Sequence, residues 1–255
     1  MANAALIGLS SQMALRRELD TVANNIANLN TAGFKKDSTV FHEFMSPTAR
    51  EKRFGGNDQI VRFVHDRATW HDFTQGSLQK TGAPLDVAIE GDAFLVVQTP
   101  RGERYTRNGG LQINAQGQLV TLDGAVVQGD GGPIVLQPTD RNIAISADGR
   151  LTVSEGGETK TESQRGKIRL VSFAERHRLQ KDHSNTFMAP DGVIPQPATN
   201  AKLVQGVIEK SNVNGVLEMT RMIEITRAYT HIASLLQQHG DLRRTAIERL
   251  AEVPA

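Results

Sequence analysis

The chain has no cysteine, a single tryptophan and only two tyrosines among its 255 residues. Without cysteine there can be no disulfide, no thiolate metal site and no cysteine nucleophile. Aromatic residues make up 5% of the chain and the formal net charge is +1. No basic patch with interleaved aromatics is present, which excludes the usual footprint of a nucleic-acid binder. No apolar run approaches the ~18 residues that a membrane span needs. The opening MANAALIGLS has no basic region, and its apolar run is too short for a secretory signal. The expectation is a cytosolic chain, or one exported without a cleaved signal.

Reactive constellations are equally scarce. His65 and His71 are six apart, as are His177 and His183, and neither pair stands in an HExxH arrangement. They read as scattered surface histidines. Asp86, Glu90 and Asp92 could serve as a general acid and base, but they read better as turn formers and solvated strand ends. Gly129–Gly132 does not lead into a helix, as a phosphate cradle requires, and reads as a hairpin turn. There is no GxSxG elbow. No catalytic site, metal, cofactor or small-molecule substrate is therefore expected.

What is present falls into three parts: helix, strands, helix. In residues 3–32, Leu15, Leu19, Val22, Ile26 and Leu29 are spaced 4, 3, 4, 3, a heptad seam. Gly33 follows as a left-handed cap, with Lys35 and Lys36 just beyond. Such a helix is roughly 40–45 Å long. The C-terminal part repeats the pattern: Met222, Ile225, Tyr229, Ile232 and Leu236, with Met219 and Ile223 widening the stripe. Gly240 is expected to interrupt this helix, and Asp241 to cap a further short piece. Between the helices, Leu85/Val87/Ile89, Phe94/Val96, Leu111/Ile113, Ile134/Leu136, Ile143/Ile145 and Leu151/Val153 alternate, and Ile168–Phe173 adds another run. Gly-rich turn signals separate them, which predicts antiparallel strands in a barrel- or sandwich-like domain. Residues 46–60 and 182–202 read as linkers.

The fold class is thus α+β: paired N- and C-terminal helices, coiled-coil-like, flanking a central antiparallel all-β domain. The expected division is 1–33 with 207–255 as a discontinuous helical domain, 34–80 with 190–206 as connecting segments, and 81–189 as the β domain.

Both helices are unusual in lacking charge. The first carries it only at Arg16, Arg17, Glu18 and Asp20, and the second has none from Ala228 through Gly240. A helix packed on one face normally exposes a charged opposite face. With Leu19 at heptad position a and Val22 at d, Asn25 and Asn30 fall beside the seam, and Asn24 and Asn28 fall on the outer face. Asparagine weakens a helix, but its neutral amide both donates and accepts and is less costly to enclose than an unpaired charge. The pattern suggests helices enclosed by neighbouring chains. The alternatives are helices packed as core on the β domain, a β-rich enzyme, and a β-domain binding module with a helical dimerisation coil.

The stretch TVANNIANLNTAGFKK resembles the N-terminal signature of the bacterial flagellar axial proteins (rod, hook and hook-associated), matched at Asn25, Ile26, Ala27, Asn28, Thr31, Gly33, Phe34 and Lys35. Ala23 stands where the signature usually has serine. Residues 81–134 are similar to a block shared in that family, with Pro84, Leu85, Asp86, Gly91, Asp92 and Tyr105–Gly109. Residues 205–229 resemble its C-terminal motif, with Gly206, Glu209, Ser211, Asn212, Val213, Asn214, Glu218, Met222, Ile223, Arg227 and Tyr229. The length and the single compact β region look like a basal-body rod protein. Segment 166–192 and the short charged stretch before it resemble a proximal rod protein more than a distal one.

The resemblance implies a structural subunit of a tubular shaft crossing the periplasm, with partners among other rod proteins and copies of itself. It implies export through the flagellum's own type III apparatus, without nucleic-acid binding or membrane insertion. The heptad seam and the resemblance together give the expected assembly contacts as Leu15, Leu19, Val22, Asn25, Ile26, Asn28, Leu29, Thr31, Gly33 and Phe34. In the C-terminal part they are Ser211, Asn212, Val213, Met222, Ile223, Ile225, Tyr229, Ile232 and Leu236.

Overall fold

The computed structural model describes residues 2–46, 61–155 and 162–251. It is α+β, with a helix at each end and antiparallel strands between them. In chain order the elements are α1 (Ala2–Ala27), β1 (Asp37–Ser46), β2 (Val61–His71), β3 (Leu78–Lys80), β4 (Val87–Glu90), β5 (Phe94–Thr99) and β6 (Gly102–Thr106). There follow β7 (Leu111–Ile113), β8 (Leu119–Thr121), β9 (Val126–Gly129), β10 (Gly132–Pro133), β11 (Asp140–Ile145), β12 (Arg150–Glu155), β13 (Glu162–Lys167) and β14 (Leu170–Ser172). After a short 3-10 turn at Arg176–Arg178 come β15 (Gln180–Lys181), β16 (Thr186–Met188), β17 (Gln196–Pro197), β18 (Lys202–Gln205), β19 (Val207–Glu209) and α2 (Gly215–Ala251).

The chain forms two compact units. One comprises Met1–Ala27, Asp37–His71 and Asn214–Ala255; the other comprises Asn28–Lys36 and Asp72–Val213. The first is the helical unit, in which α1 and α2 pack together and β1 and β2 form a long antiparallel hairpin with a bulge between Val40 and Phe41. The second is the β unit. Its largest sheet runs β15-β16-β6-β5-β9-β8-β7, with β14 also on β5. A three-stranded sheet β11-β12-β13 and the pairs β18-β4 and β19-β3 complete it.

Strand β5 shows why the β unit holds. Successive side chains of a strand point to opposite faces, and here both faces are covered. Leu95 and Val97 join an aliphatic core with Val87, Ile89, Leu119 and Leu151. Phe94 and Val96 join a second core with Phe73, Tyr105, Phe173 and Phe187. Rings in this second core meet edge to face, as Tyr105 and Phe173 do at 4.8 Å. Five of the chain's twelve aromatics are gathered in this core.

Several sequence expectations change. Helix α1 stops at Ala27, not near residue 32, so Asn28, Leu29 and Asn30 hold no heptad position. They begin a turn in which the Thr31 N–H donates to the Asn28 carbonyl at 3.2 Å and the Thr31 hydroxyl to the Asn28 side chain at 3.0 Å. That local alternative is the one asparagine offers a helix end. Helix α2 runs through Gly240 without a break, so Asp241 is an interior residue. One helical glycine costs about 1 kcal/mol against alanine, too little to stop a helix that continues into LRRTAIERL. Segment 182–202, read as a linker, contributes β16 and β17 to the large sheet. Of the other linker, 46–60, all but Ser46 lies outside the described residues.

Candidate assembly interface

In the helical unit α1 and α2 run antiparallel, since Gly8 meets Leu236, Glu18 meets Arg221 and Asn25 meets Glu218. The heptad residues form the seam. Val22 and Ile225 are buried, and Leu15, Leu19, Ile26, Met222, Tyr229, Ile232 and Leu236 are half-buried beside them. The Arg221 guanidinium donates twice to one oxygen of Glu18, at 3.0 and 2.7 Å. At the far end the Leu236 side chain fills the space beside Gly8: a Cβ on Gly8 would lie 2.6 Å from Leu236 Cδ2. Ile7, Gly8, Ser11, Ile232, Leu235, Leu236 and His239 line an apolar groove there of about 410 Å³.

The seam does not use all the apolar surface of the helices. Leu9 and Met13 on α1, and Met219, Ile223 and Leu235 on α2, are each half exposed or more. Val216 and Leu217, at the start of α2, are more open still. These exposed apolar residues lie along both helices, Leu9, Met13 and Leu235 towards the Gly8 end and Met219 and Ile223 towards the Glu218 end. The widening residue Ile223 therefore faces outward, not into the pair.

Asn25, expected to reach a neighbouring chain, is buried with partners in its own. It bonds both backbone groups of Asp37, and its amide also donates to Glu218 at 3.1 Å. Asp37 in turn contacts His71 Nδ1 at 2.7 Å. Asn28, Leu29 and Thr31 are half-buried in the turn that follows α1.

Three further signature residues, Lys35, Arg107 and Glu209, belong to the β unit, and there they meet. One Glu209 carboxylate oxygen accepts from Lys35 Nζ at 2.6 Å and from the Gly76 N–H at 2.9 Å. The other accepts from Arg107 Nε at 3.0 Å. The Lys35 and Glu209 side chains are fully buried and Arg107 is 3% exposed. Burial pulls the Lys35 ammonium below its ordinary pKa, and the Glu209 carboxylate opposes that pull. The second charge is met by carbonyls: Arg107 Nη1 donates to Gly91 at 2.6 Å and Ala93 at 2.7 Å, and Lys35 donates to Thr74 at 2.7 Å.

Main-chain bonds tie the same segments together. The Gly33 N–H donates to the Glu209 carbonyl at 2.7 Å, and the Lys36 N–H to Asn212 Oδ1 at 2.8 Å. Gly33 has φ +66, and a Cβ there would lie 2.4 Å from the Arg107 carbonyl carbon, so only glycine fits. Phe34 is buried, with Lys181 Nζ 3.8 Å from its ring centroid. Ser211 and Val213 are half-buried, and the Val213 N–H donates to Ser211 Oγ at 3.3 Å. In the sequence Arg107 and Glu209 stand within the shared blocks, with nothing there to mark a role for either. Their spacing along the chain carries no signal of their pairing.

Among the described residues no group of three or more His, Asp or Glu side chains could hold a metal ion. Asp92 is ion-paired with Arg176, and Glu90 is exposed at the end of β4. Gly129 and Gly132 face each other across the β9–β10 hairpin. No described helix is long and apolar enough to cross a membrane.

Three family models match the chain in order. Residues 6–35 match "Flagella basal body rod protein", 88–153 "Flagellar hook protein FlgE/F/G D1 domain", and 204–249 "Flagellar basal body rod FlgEFG protein C-terminal". The flagellar basal-body rod protein FlgF of Caulobacter vibrioides is 42% identical over 254 residues, covering 99% of this chain and 100% of that one. The chain belongs to the flagellar basal-body rod protein family. Within the family it is FlgF-like. FlgF of Mesorhizobium japonicum is 35% identical, with 98% of each chain covered. FlgG of Bacillus subtilis is 32% identical, over 92% of this chain and 94% of its own. As a rod protein the chain is a structural component of the flagellar basal body, and the two helices and the Glu209 cluster fall inside or beside the matched segments.

Proposed function

We propose that this subunit, of the proximal rod, assembles through its terminal helices with copies of itself and with other rod proteins into a tubular shaft crossing the periplasm. The observation that carries this reading is the apolar surface left open on the helix pair, at Leu9, Met13, Met219, Ile223 and Leu235. The neighbouring uncharged stretches of both helices support it, because burial against other chains then strands no charge. The subunit reaches the rod through the flagellum's own type III apparatus. Its terminal helices order on assembly, converting their apolar stripe into interface energy. Its role is structural rather than catalytic; Asp92 is engaged with Arg176 and Glu90 is a solvated strand end.

The test replaces Ile223 and, separately, Met13 with aspartate. The expected outcome is an exported, stable subunit with a folded β unit but no swimming and no rod beyond this layer. Normal swimming in both variants would overturn assembly through the helices. Localisation of the tagged subunit to the distal part of purified rods would replace the proximal assignment with a distal one.

A further inference from the structure

We infer that Lys35, Arg107, Glu209 and Asn212 form a clasp that closes within a single subunit, holding together the two chain segments from which the terminal helices run before subunits meet. The side chains of the charged trio are essentially closed to solvent, so none of their polar atoms is available to a neighbouring chain. Every partner of Glu209 named above, Lys35, Arg107 and Gly76, lies in the same unit. Asn212 closes the edge: its amide donates to the Asp72 carbonyl at 2.8 Å while its oxygen accepts from the Lys36 N–H. Segments 33–36, 72–76 and 209–212 are therefore locked by one network.

A buried charged network of this kind is close to all-or-none, because removing one member leaves another charge buried without its partner. Once closed, it restrains the chain leaving α1 and the chain entering α2. Pairing of the helices then proceeds at the high effective concentration of an intramolecular event. Gly33, Phe34, Lys35 and Asn212 become positioning residues, acting on the helices through their roots instead of touching other subunits. The clasp's purpose, though not its closure, rests on the proposal that the helices pack between subunits.

Hydrogen exchange of the full-length chain at high dilution tests this. The amides of Gly33, Lys36 and Gly76 are expected to be protected even where those of α1 and α2 exchange freely. In Glu209→Gln these three amides are expected to exchange about tenfold faster or more, with Leu95 and Val97 unchanged. Should Glu209→Gln fail to fold, Asn212→Ala removes only the side-chain bonds of Asn212 to Lys36, Asp72 and Thr74, leaves the charged trio in place and is expected to release Lys36. Free exchange of the three amides in the unaltered monomer, or unchanged protection in Asn212→Ala, overturns the clasp. Neither result touches helix packing between subunits, which is read from the swimming of Ile223→Asp.

Discussion

Asn25 completes both backbone hydrogen bonds of Asp37: its amide donates to the Asp37 carbonyl at 2.8 Å and its oxygen accepts from the Asp37 N–H at 2.9 Å. A side-chain amide can do this because it carries donor and acceptor together. It thereby stands in for a strand partner at the point where β1 begins, and the helix is registered against the hairpin.

Asn25→Asp removes the donor and places a second carboxylate beside Glu218, which is itself 1% exposed. The expected loss is about 2–4 kcal/mol in the helical unit, with Asn25→Ala milder. Swimming in soft agar, measured at matched subunit levels, should be abolished in Asn25→Asp and reduced in Asn25→Ala. Equal swimming of Asn25→Asp and the unaltered chain would contradict the registering role.

Arg107→Ala should destabilise the β unit by about 3–5 kcal/mol, because Glu209 would stay buried with one of its two cations gone. Arg150→Ala, which breaks a pair with Asp148 on the open surface, should leave stability nearly unchanged. Urea unfolding followed by circular dichroism separates the two. Similar midpoints for both variants would contradict the ranking.

Acidification should weaken the β unit in a definite window. Hydrogen bonds from the Arg165 guanidinium, at 2.9 and 2.6 Å, hold the Asp140 carboxyl below its usual range, as the bond from Arg104 does for Asp182. A carboxylate whose folded pKa is depressed stabilises the fold fully above its unfolded value, about pH 4. That stability is lost as pH falls through the folded value. Asp140→Asn should therefore lower the melting temperature at pH 7, and the gap to the unaltered chain should narrow as pH falls to about 3. A gap independent of pH would show that the pair contributes nothing through its charge.

Gly8→Leu should separate the helices at their far end, since even a Cβ there meets Leu236. Gly8→Ala should swim nearly normally, because the Leu236 side chain can turn aside, and Leu236→Ala should partly rescue Gly8→Leu. Such rescue is the signature of two residues sharing one space, and its absence, read in soft agar, would place the Gly8 effect elsewhere.

Much of this architecture is legible in the chain itself. The 4, 3 spacing marks the seam residues from Leu15 to Ile26 and from Met222 to Leu236, because only residues on one helical face can share a partner. Alternation marks β4, β5, β7, β11 and β12. It does not reveal that β5 is buried on both faces, since Phe94/Val96 and Leu95/Val97 are both apolar pairs that serve different cores. Nothing in the sequence marks the hairpin β1–β2, because Arg62, His65, Asp66 and Arg67 interrupt any simple apolar alternation. The end of α1 is not legible in the spacing, because Leu29 continues the heptad while the turn at Asn28 and Thr31 ends the helix.

The sequence by itself determined the helix–strand–helix order, the two seams, the uncharged stretches and the family. The first three are properties of spacing and composition, which local geometry reads directly, and the family is carried by shared motifs and by identity to known rod proteins. Only the tertiary structure decided which signature residues are available to other chains. Asn25, Lys35 and Glu209 look alike in the sequence, as polar residues near helix roots, yet all three are enclosed with partners distant in the chain. A hydrogen bond between residues 174 positions apart, such as that of Lys35 with Glu209, leaves no local periodicity. It exists only once the strands between them have packed.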